Sequence, residues 1–383
     1  MRISFVPARV GKQTEPVHAL GNISFHDRAE SAGGFTSGFH LMRLVLAVLV
    51  IVVHSVDISY GSSVGALMWG HKLAGYMLII LPMFFAMSGY LVAGSFARMK
   101  SLSAFFALRA IRIFPPLIVV VFLTALVLGP LLTTLSLADY FSGWLVFHYF
   151  GNILGLSAFT LPGVFHDMPV KYHVNASLWT IQYDFICYVL FGFVVIFGLW
   201  RRKTLILTLV VTGCMIAPFL VPFIFPKAIA FYNLQIVCFF FGVLMFLFKE
   251  KIVHKSWCAL ASFVVAGLLL SRPITLYWAA PFVAYFTVYL GLLNAPKVPL
   301  IMKNDYSYGL YLVGYPLQQL QAYLFPDHRE WYLNVGFSVG LGLFFAMASW
   351  HFLEKPLQAR RHVILDIAAA LSRMRSSFVK KLI

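Results

Sequence analysis

Within the apolar stretch LMRLVLAVLVIVVHSVDISY, residues 41–60, stand an arginine, a histidine and an aspartate. Arg43 and His54 are eleven positions apart, which is about 20° past three full helical turns, so a helix puts both on one face. The same spacing sets His54 about 16 Å beyond Arg43, near the middle of a hydrocarbon layer about 30 Å thick. Asp57, one turn on, comes within reach of His54. A carboxylate there would hold the imidazole in one tautomer and stabilise its protonated form, as a general base requires. An Arg or Asp at mid-bilayer costs about 2.5 to 3.5 kcal/mol on insertion scales, so each such group wants a cavity or a partner. The ordinary alternatives are an Arg43 that anchors the helix at a basic surface, a His54 hydrogen-bonded to a neighbouring helix, and an Asp57 that meets water.

Three further stretches carry chemistry. FFAMSGYLVAGSFARMKSLSAFFALRAIRIFPPL, residues 84–117, holds Ser88 and Gly89 in one helix and Arg109 and Arg112 in the next. Two guanidiniums one turn apart can grip a phosphate bidentately, although positive anchoring at a membrane face is an equally good account of them. VNASLWTIQYDFICYVLF, residues 174–191, sets Trp179 and Tyr183 near an interface and Asp184 about two and a half turns into a helix. Trp179 suits an aromatic belt, whereas an acid at Asp184's depth calls for a partner or a cavity. DYSYGLYLVGYPLQQ, residues 305–319, lines a helix with tyrosines, Tyr311 among them, and ends in Gln318 and Gln319. Ordinary helix packing explains it.

The elements that must hold these residues are membrane helices. Of 383 residues, 61% are hydrophobic and only 11% charged, and the mean hydropathy is +0.86. A soluble globule would carry about 25% charged residues. Ten segments are long and apolar enough to span: about 41–60, 73–96, 113–136, 175–199, 204–223, 229–248, 256–271, 275–293, 306–325 and 331–353. Counting them with a cytoplasmic N-terminus leaves 24 of the 29 Lys and Arg on the cytoplasmic side, as short cytoplasmic loops require. An eleventh crossing through 140–160 would move 15 of those charges outside. The expectation is an all-α integral membrane protein of about ten transmembrane helices with both termini cytoplasmic. A long outer loop, 137–174, then joins helices three and four. Residues 1–38 read as a loose cytoplasmic tail, 39–355 as one transmembrane domain, and 356–383 as a basic amphipathic tail on the inner surface. The net charge of +16 describes topology and anionic lipid rather than nucleic acid. The four cysteines show neither a disulfide framework nor zinc spacing, and His148, His166, Asp167 and His173 match no metal-ligand pattern.

In order along the chain, these motifs resemble the membrane-bound acyltransferase 3 family of bacterial O-acyltransferases. Arg43-x10-His54 is similar to its first-helix signature, FFAMSGYLV and LRAIRIFPP to the next two, and SLWTIQYDF and YSYGLYLVGYP to two later ones. FLEKPLQAR resembles its ending. Asp184 stands where the family usually has Glu, and Gly314 where many members have His.

The resemblance implies transfer of an acyl group, most often acetyl, from acetyl-CoA or another acyl-CoA to a hydroxyl of a glycan or lipid-linked sugar. It implies a multi-pass protein of the bacterial inner membrane and no permanently bound cofactor. His54 would act as general base or transient acyl carrier, with Arg43, Asp57 and Asp184 beside it. Arg109, Arg112 and Ser88 would bind the donor, and Trp179, Tyr183 and Tyr311 the acceptor, framed by the loop 137–174. The rival class is a secondary transporter or glycolipid flippase, whose ionisable residues would relay protons or ions. A transporter predicts an inverted repeat, which these segments do not show.

Overall fold

The computed structural model describes residues 23–31, 37–224, 229–294, 304–363 and 365–366. Most of the tail 356–383, with Lys297, Lys303 and residues 1–22, lies outside the described residues. Apolar runs this long satisfy their backbone groups within helices, and the helices follow in order: α1 (Phe25–Ser31), α2 (Ser37–Tyr60), α3 (Ser62–Met68), α4 (Gly70–Leu78), α5 (Ile80–Met99) and α6 (Leu102–Leu123). A π-type turn, Thr124–Leu128, carries α6 into α7 (Gly129–Leu132), and two short helices follow, α8 (Leu137–Ser142) and α9 (Trp144–Phe150). Then come α10 (Trp179–Ile196), α11 (Lys203–Ile224), α12 (Ile229–Leu247), α13 (Ser256–Leu270), α14 (Ala280–Gly291), α15 (Ser307–Leu324), α16 (Trp331–Ser349) and α17 (Lys355–Ala359). Among the described residues there is no β-strand, only one isolated bridge between Ser24 and Val253.

Seven helical stretches among the described residues are long and apolar enough to cross a membrane: Ser37–Tyr60, Ala74–Met99, Leu102–Leu132, Ala176–Ile196, Lys203–Val221, Pro273–Gly291 and Trp331–Ala359. The sequence suggests ten, and the difference falls on three helices. Phe231–Leu247 and Ser256–Leu270 are short. At 1.5 Å per residue the second spans only about 22 Å of a layer about 30 Å thick. The third, α15, carries Gln318, Gln319 and Gln321, all buried. Their amides tie helices together: Gln318 donates to the Ile51 carbonyl of α2 at 2.7 Å, and Asn334 of α16 donates to Gln321 Oε1 at 2.7 Å.

Contacts sort the loops to two ends of the bundle. At one end the Phe96 ring meets Trp200, Gly94 backs onto Phe246, and the turns beside them carry Arg98, Lys100, Arg201, Arg202, Lys203 and Lys249. This is the basic end. Part of the stretch read as a loose tail is docked there: Phe25 is fully buried against His254 and Tyr285, its N–H bonds the Ile252 carbonyl at 2.9 Å, and Arg28 Nε donates to the Leu292 carbonyl. At the opposite end Tyr60 Oη accepts from the Trp331 N–H, and Gln319 Nε2 donates to the carbonyls of Val170 and His173. The region 137–174 is ordered by its own bonds: Asn152 is buried between the Tyr149 and Ala158 carbonyls, and Tyr140 Oη donates to Ala125 of the π-type turn.

Two features of this packing position the site. Helices α2 and α15 run parallel and in register, since Arg43 pairs with Asp305 and His54 meets Tyr315, eleven and ten residues further on. Helices α5 and α12 touch backbone to backbone: a Cβ on Gly89 would lie 1.9 Å from the Phe239 carbonyl oxygen, and one on Gly242 2.0 Å from that of Ala86. Only glycine allows this approach, the small-residue contact on which membrane helices rely. It explains Gly89 in the SG pair and sets the neighbouring Ser88 in the wall of a cavity.

Candidate functional site

That cavity, of about 130 Å³, lies between α2, α5, α6, α10 and α15. Each helix sends polar groups into an otherwise apolar lining: Arg43, Ser88, Arg109 with Arg112, Asp184 with Tyr188, and Tyr308 with Tyr311. Local sequence places them. Ser101 caps α6 by accepting from the Ala104 N–H at 3.3 Å, so Arg109 and Arg112 fall two to three turns inside, just ahead of Pro115 and Pro116.

The electrostatics centre on an acid that stands behind the lining. Asp305 Oδ2 accepts from Arg43 Nη1 at 3.0 Å and from Arg112 Nη2 at 2.7 Å, while Ser307 Oγ donates to its other oxygen. One carboxylate thus joins α2, α6 and the start of α15. Burial alone would push the Asp305 carboxyl up, but Arg112 and Arg43, with Ser307, outweigh it and hold the group well below the usual carboxylate range. Arg109 lies against Tyr188, and its Nε is buried with no partner. Tyr188 Oη also sits 3.4 Å from Ser88 Oγ. Asp184 faces the same cavity with no hydrogen bond to another described residue. The hydroxyl of Tyr311 is already engaged, 2.7 Å from Thr180 Oγ1 and donating to the Ser177 carbonyl. Arg112, read from sequence as the partner of Arg109 on one phosphate, has a counter-ion of its own.

Six of the ten residues singled out from the sequence therefore line one cavity: Arg43, Ser88, Arg109, Arg112, Asp184 and Tyr311. The other four lie elsewhere. His54 stands further along α2, its ring edge-on to Tyr315 at 5.4 Å. Asp57 forms no ion pair or hydrogen bond with it. Its carboxylate lies against Gly65 of α3, where an added Cβ would meet Oδ1 at 1.7 Å. Trp179 and Tyr183 form an aromatic cluster with Tyr232 of α12, at 4.5 Å from Trp179 and 6.2 Å from Tyr183, outside the lining. In the region 137–174, His166 Nδ1 is 2.7 Å from Asp167, His148 stacks on Trp144, and burial pushes His173 below the usual histidine range. Among the described residues no three His, Cys, Asp or Glu gather as a metal site.

Sequence reasoning missed Asp305, Tyr188 and Thr180. A signal for the first existed. With 13 acids against 29 bases, arginines set inside apolar helices need a counter-charge, and Asp305 is an acid directly ahead of one such helix.

A family model for an acyltransferase domain matches residues 36–352, most of the chain. The chain belongs to the acyltransferase 3 family. A protein of Shigella phage Sf6 described as an O-acetyl transferase is 30% identical over 341 residues, which cover 84% of this chain and 96% of the phage protein. No solved structure matches. The protein is a multi-pass membrane O-acyltransferase. The acyltransferase match contains the whole cavity, Asp305 and His54, and ends two residues before Glu354.

Proposed function

We propose that this O-acyltransferase takes an acyl group, acetyl in the simplest case, from an acyl-CoA bound at the basic end and passes it to a hydroxyl of a glycan or lipid-linked sugar presented from the opposite end. The observation that carries the reading is the cavity with three arginines in its wall, built on the same parallel helices that bring His54 and Tyr315 together further along. The name of the phage relative supports acetyl. In this reading the basic end is cytoplasmic, because Lys and Arg collect on that side. The three shorter or more polar helices complete ten crossings of the bacterial inner membrane.

The cavity is small beside the ~300 to 1,000 Å³ of sites that enclose a whole ligand, so it receives one anionic end of the donor while the arm extends along α2. From Arg43 to His54 that arm travels about 16 Å. There the acceptor oxygen attacks the thioester carbon, the new C–O bond forms as the C–S bond breaks, and His54 takes the hydroxyl proton. The thiolate leaves with a proton returned from the imidazolium. Asp184 faces the donor, Tyr315 borders the imidazole, and Asp57 lies one turn beyond it.

The test incubates membranes containing the chain with acetyl-CoA labelled in its acetyl group and follows label into glycan and lipid fractions. Wild-type membranes should transfer it, and mass spectra of glycans from a deletion strain should lose the acetyl increment. Absence of transfer together with unchanged glycans would overturn the reading.

A further inference from the structure

Asp305 does not face the cavity, yet it controls two of the three cations that do. Arg43 and Arg112 come from different helices and converge on the same oxygen, and Ser307 fixes the other oxygen of that carboxylate. Each guanidinium carries five N–H donors in a rigid fork, so a bond to Asp305 sets its plane and leaves further donors free. Arg109 lies against the Tyr188 hydroxyl and forms no ion pair with a carboxylate among the described residues, and its buried Nε lacks a partner.

We propose that Asp305 is a positioning residue of the donor site, which fixes Arg43 and Arg112 from behind and cancels one of their two charges so that Arg109 is the cation that meets a phosphate ester. This rests on reading the cavity as the donor site. Two guanidiniums without a counter-ion would form a general anion trap, taking any small polyanion in any pose. With Asp305 in place the net charge is lower and the donors are oriented, so a ligand must supply the right shape as well as negative charge. A purely structural tie between α2, α6 and α15 makes no such demand. Its loss would lower the amount of folded protein and leave the anion selectivity of the survivors unchanged.

The experiment measures binding of CoA and of inorganic pyrophosphate to the detergent-solubilised full chain, alongside KM and kcat for acetyl-CoA. In Asp305→Asn, CoA should bind on the order of tenfold more weakly and pyrophosphate on the order of tenfold more tightly, with KM rising more than kcat falls. Asp305→Glu should restore part of the selectivity. Arg109→Gln should lose CoA binding in any case. If Arg109→Gln loses CoA while Asp305→Asn keeps the wild-type preference, the positioning role is overturned and the donor site stands. If Arg109→Gln binds CoA like the wild type, the donor-site reading fails and the proposal with it. Should Asp305→Asn not accumulate, the double variant Arg43→Gln with Asp305→Asn removes one cation along with the anion. It still leaves Arg112 without the carboxylate it is bonded to, and a wild-type preference there would equally overturn the role.

Discussion

Helices α2 and α15 run side by side and bring polar residues together at two levels. At the first, Arg43 and Asp305 form a direct ion pair that Arg112 joins from α6. At the second, His54 and Tyr315 share only an edge-on ring contact, and Asp57 rests against Gly65 rather than on the imidazole. The first level is built in advance and the second is left open. That contrast suits the two tasks proposed for them. Holding an anion depends on donors fixed before the ligand arrives, whereas a general base must keep its nitrogen free for the acceptor hydroxyl, and catalytic hydrogen bonds often tighten only in the complex.

The comparison can be broken outright at the α5–α12 contact. Gly89→Leu drives a side chain into the backbone of Phe239, beyond the ~1 to 3 kcal/mol of an ordinary overpacked site, because backbone cannot rotate away. Both levels should be lost together, seen as little protein in membranes and an aggregated profile in detergent. His54→Ala should act on the second level alone, lowering transfer by about 10²- to 10⁴-fold with normal membrane levels, as measured by immunoblot beside the labelled assay.

Smaller effects sharpen the contrast. The Asp305 carboxyl is held below its unfolded pKa of about 3.9, so its stabilisation is complete above that pH and is lost as the pH falls from there toward the folded value. The melting temperature in detergent should therefore drop less steeply below about pH 4 in Asp305→Asn than in wild type, from a lower plateau. The least effect is expected from Gly65→Ala, which displaces the Asp57 carboxylate. If Asp57 takes no part at the second level, transfer should stay within about twofold, a change of under 0.5 kcal/mol. A much larger drop in kcat would show that Asp57 steers His54.

Sequence reasoning reached the one-face placement of Arg43 and His54 because it needs only the helical repeat. It could not reach Arg112 and Asp305, which are 193 residues apart and meet through packing. The face of α10 was equally hidden. When every side of a helix is apolar, periodicity no longer tells which side turns inward. Trp179 and Tyr183 were thus grouped with Asp184, although Thr180 and Tyr188 share its side and line the cavity. The short helices around Phe231–Leu247 and Ser256–Leu270 were legible as elements, and only their reach across a bilayer was not.

In the proposed scheme one level binds the donor and the other performs the transfer. CoA binding and labelled acetyl transfer, measured on the same preparations of wild type, His54→Ala and Arg109→Gln, test it most directly. The account predicts that His54→Ala binds CoA like the wild type but transfers almost nothing, while Arg109→Gln loses binding. A His54→Ala protein that transfers acetyl undiminished, or that loses CoA as fully as Arg109→Gln, would contradict it.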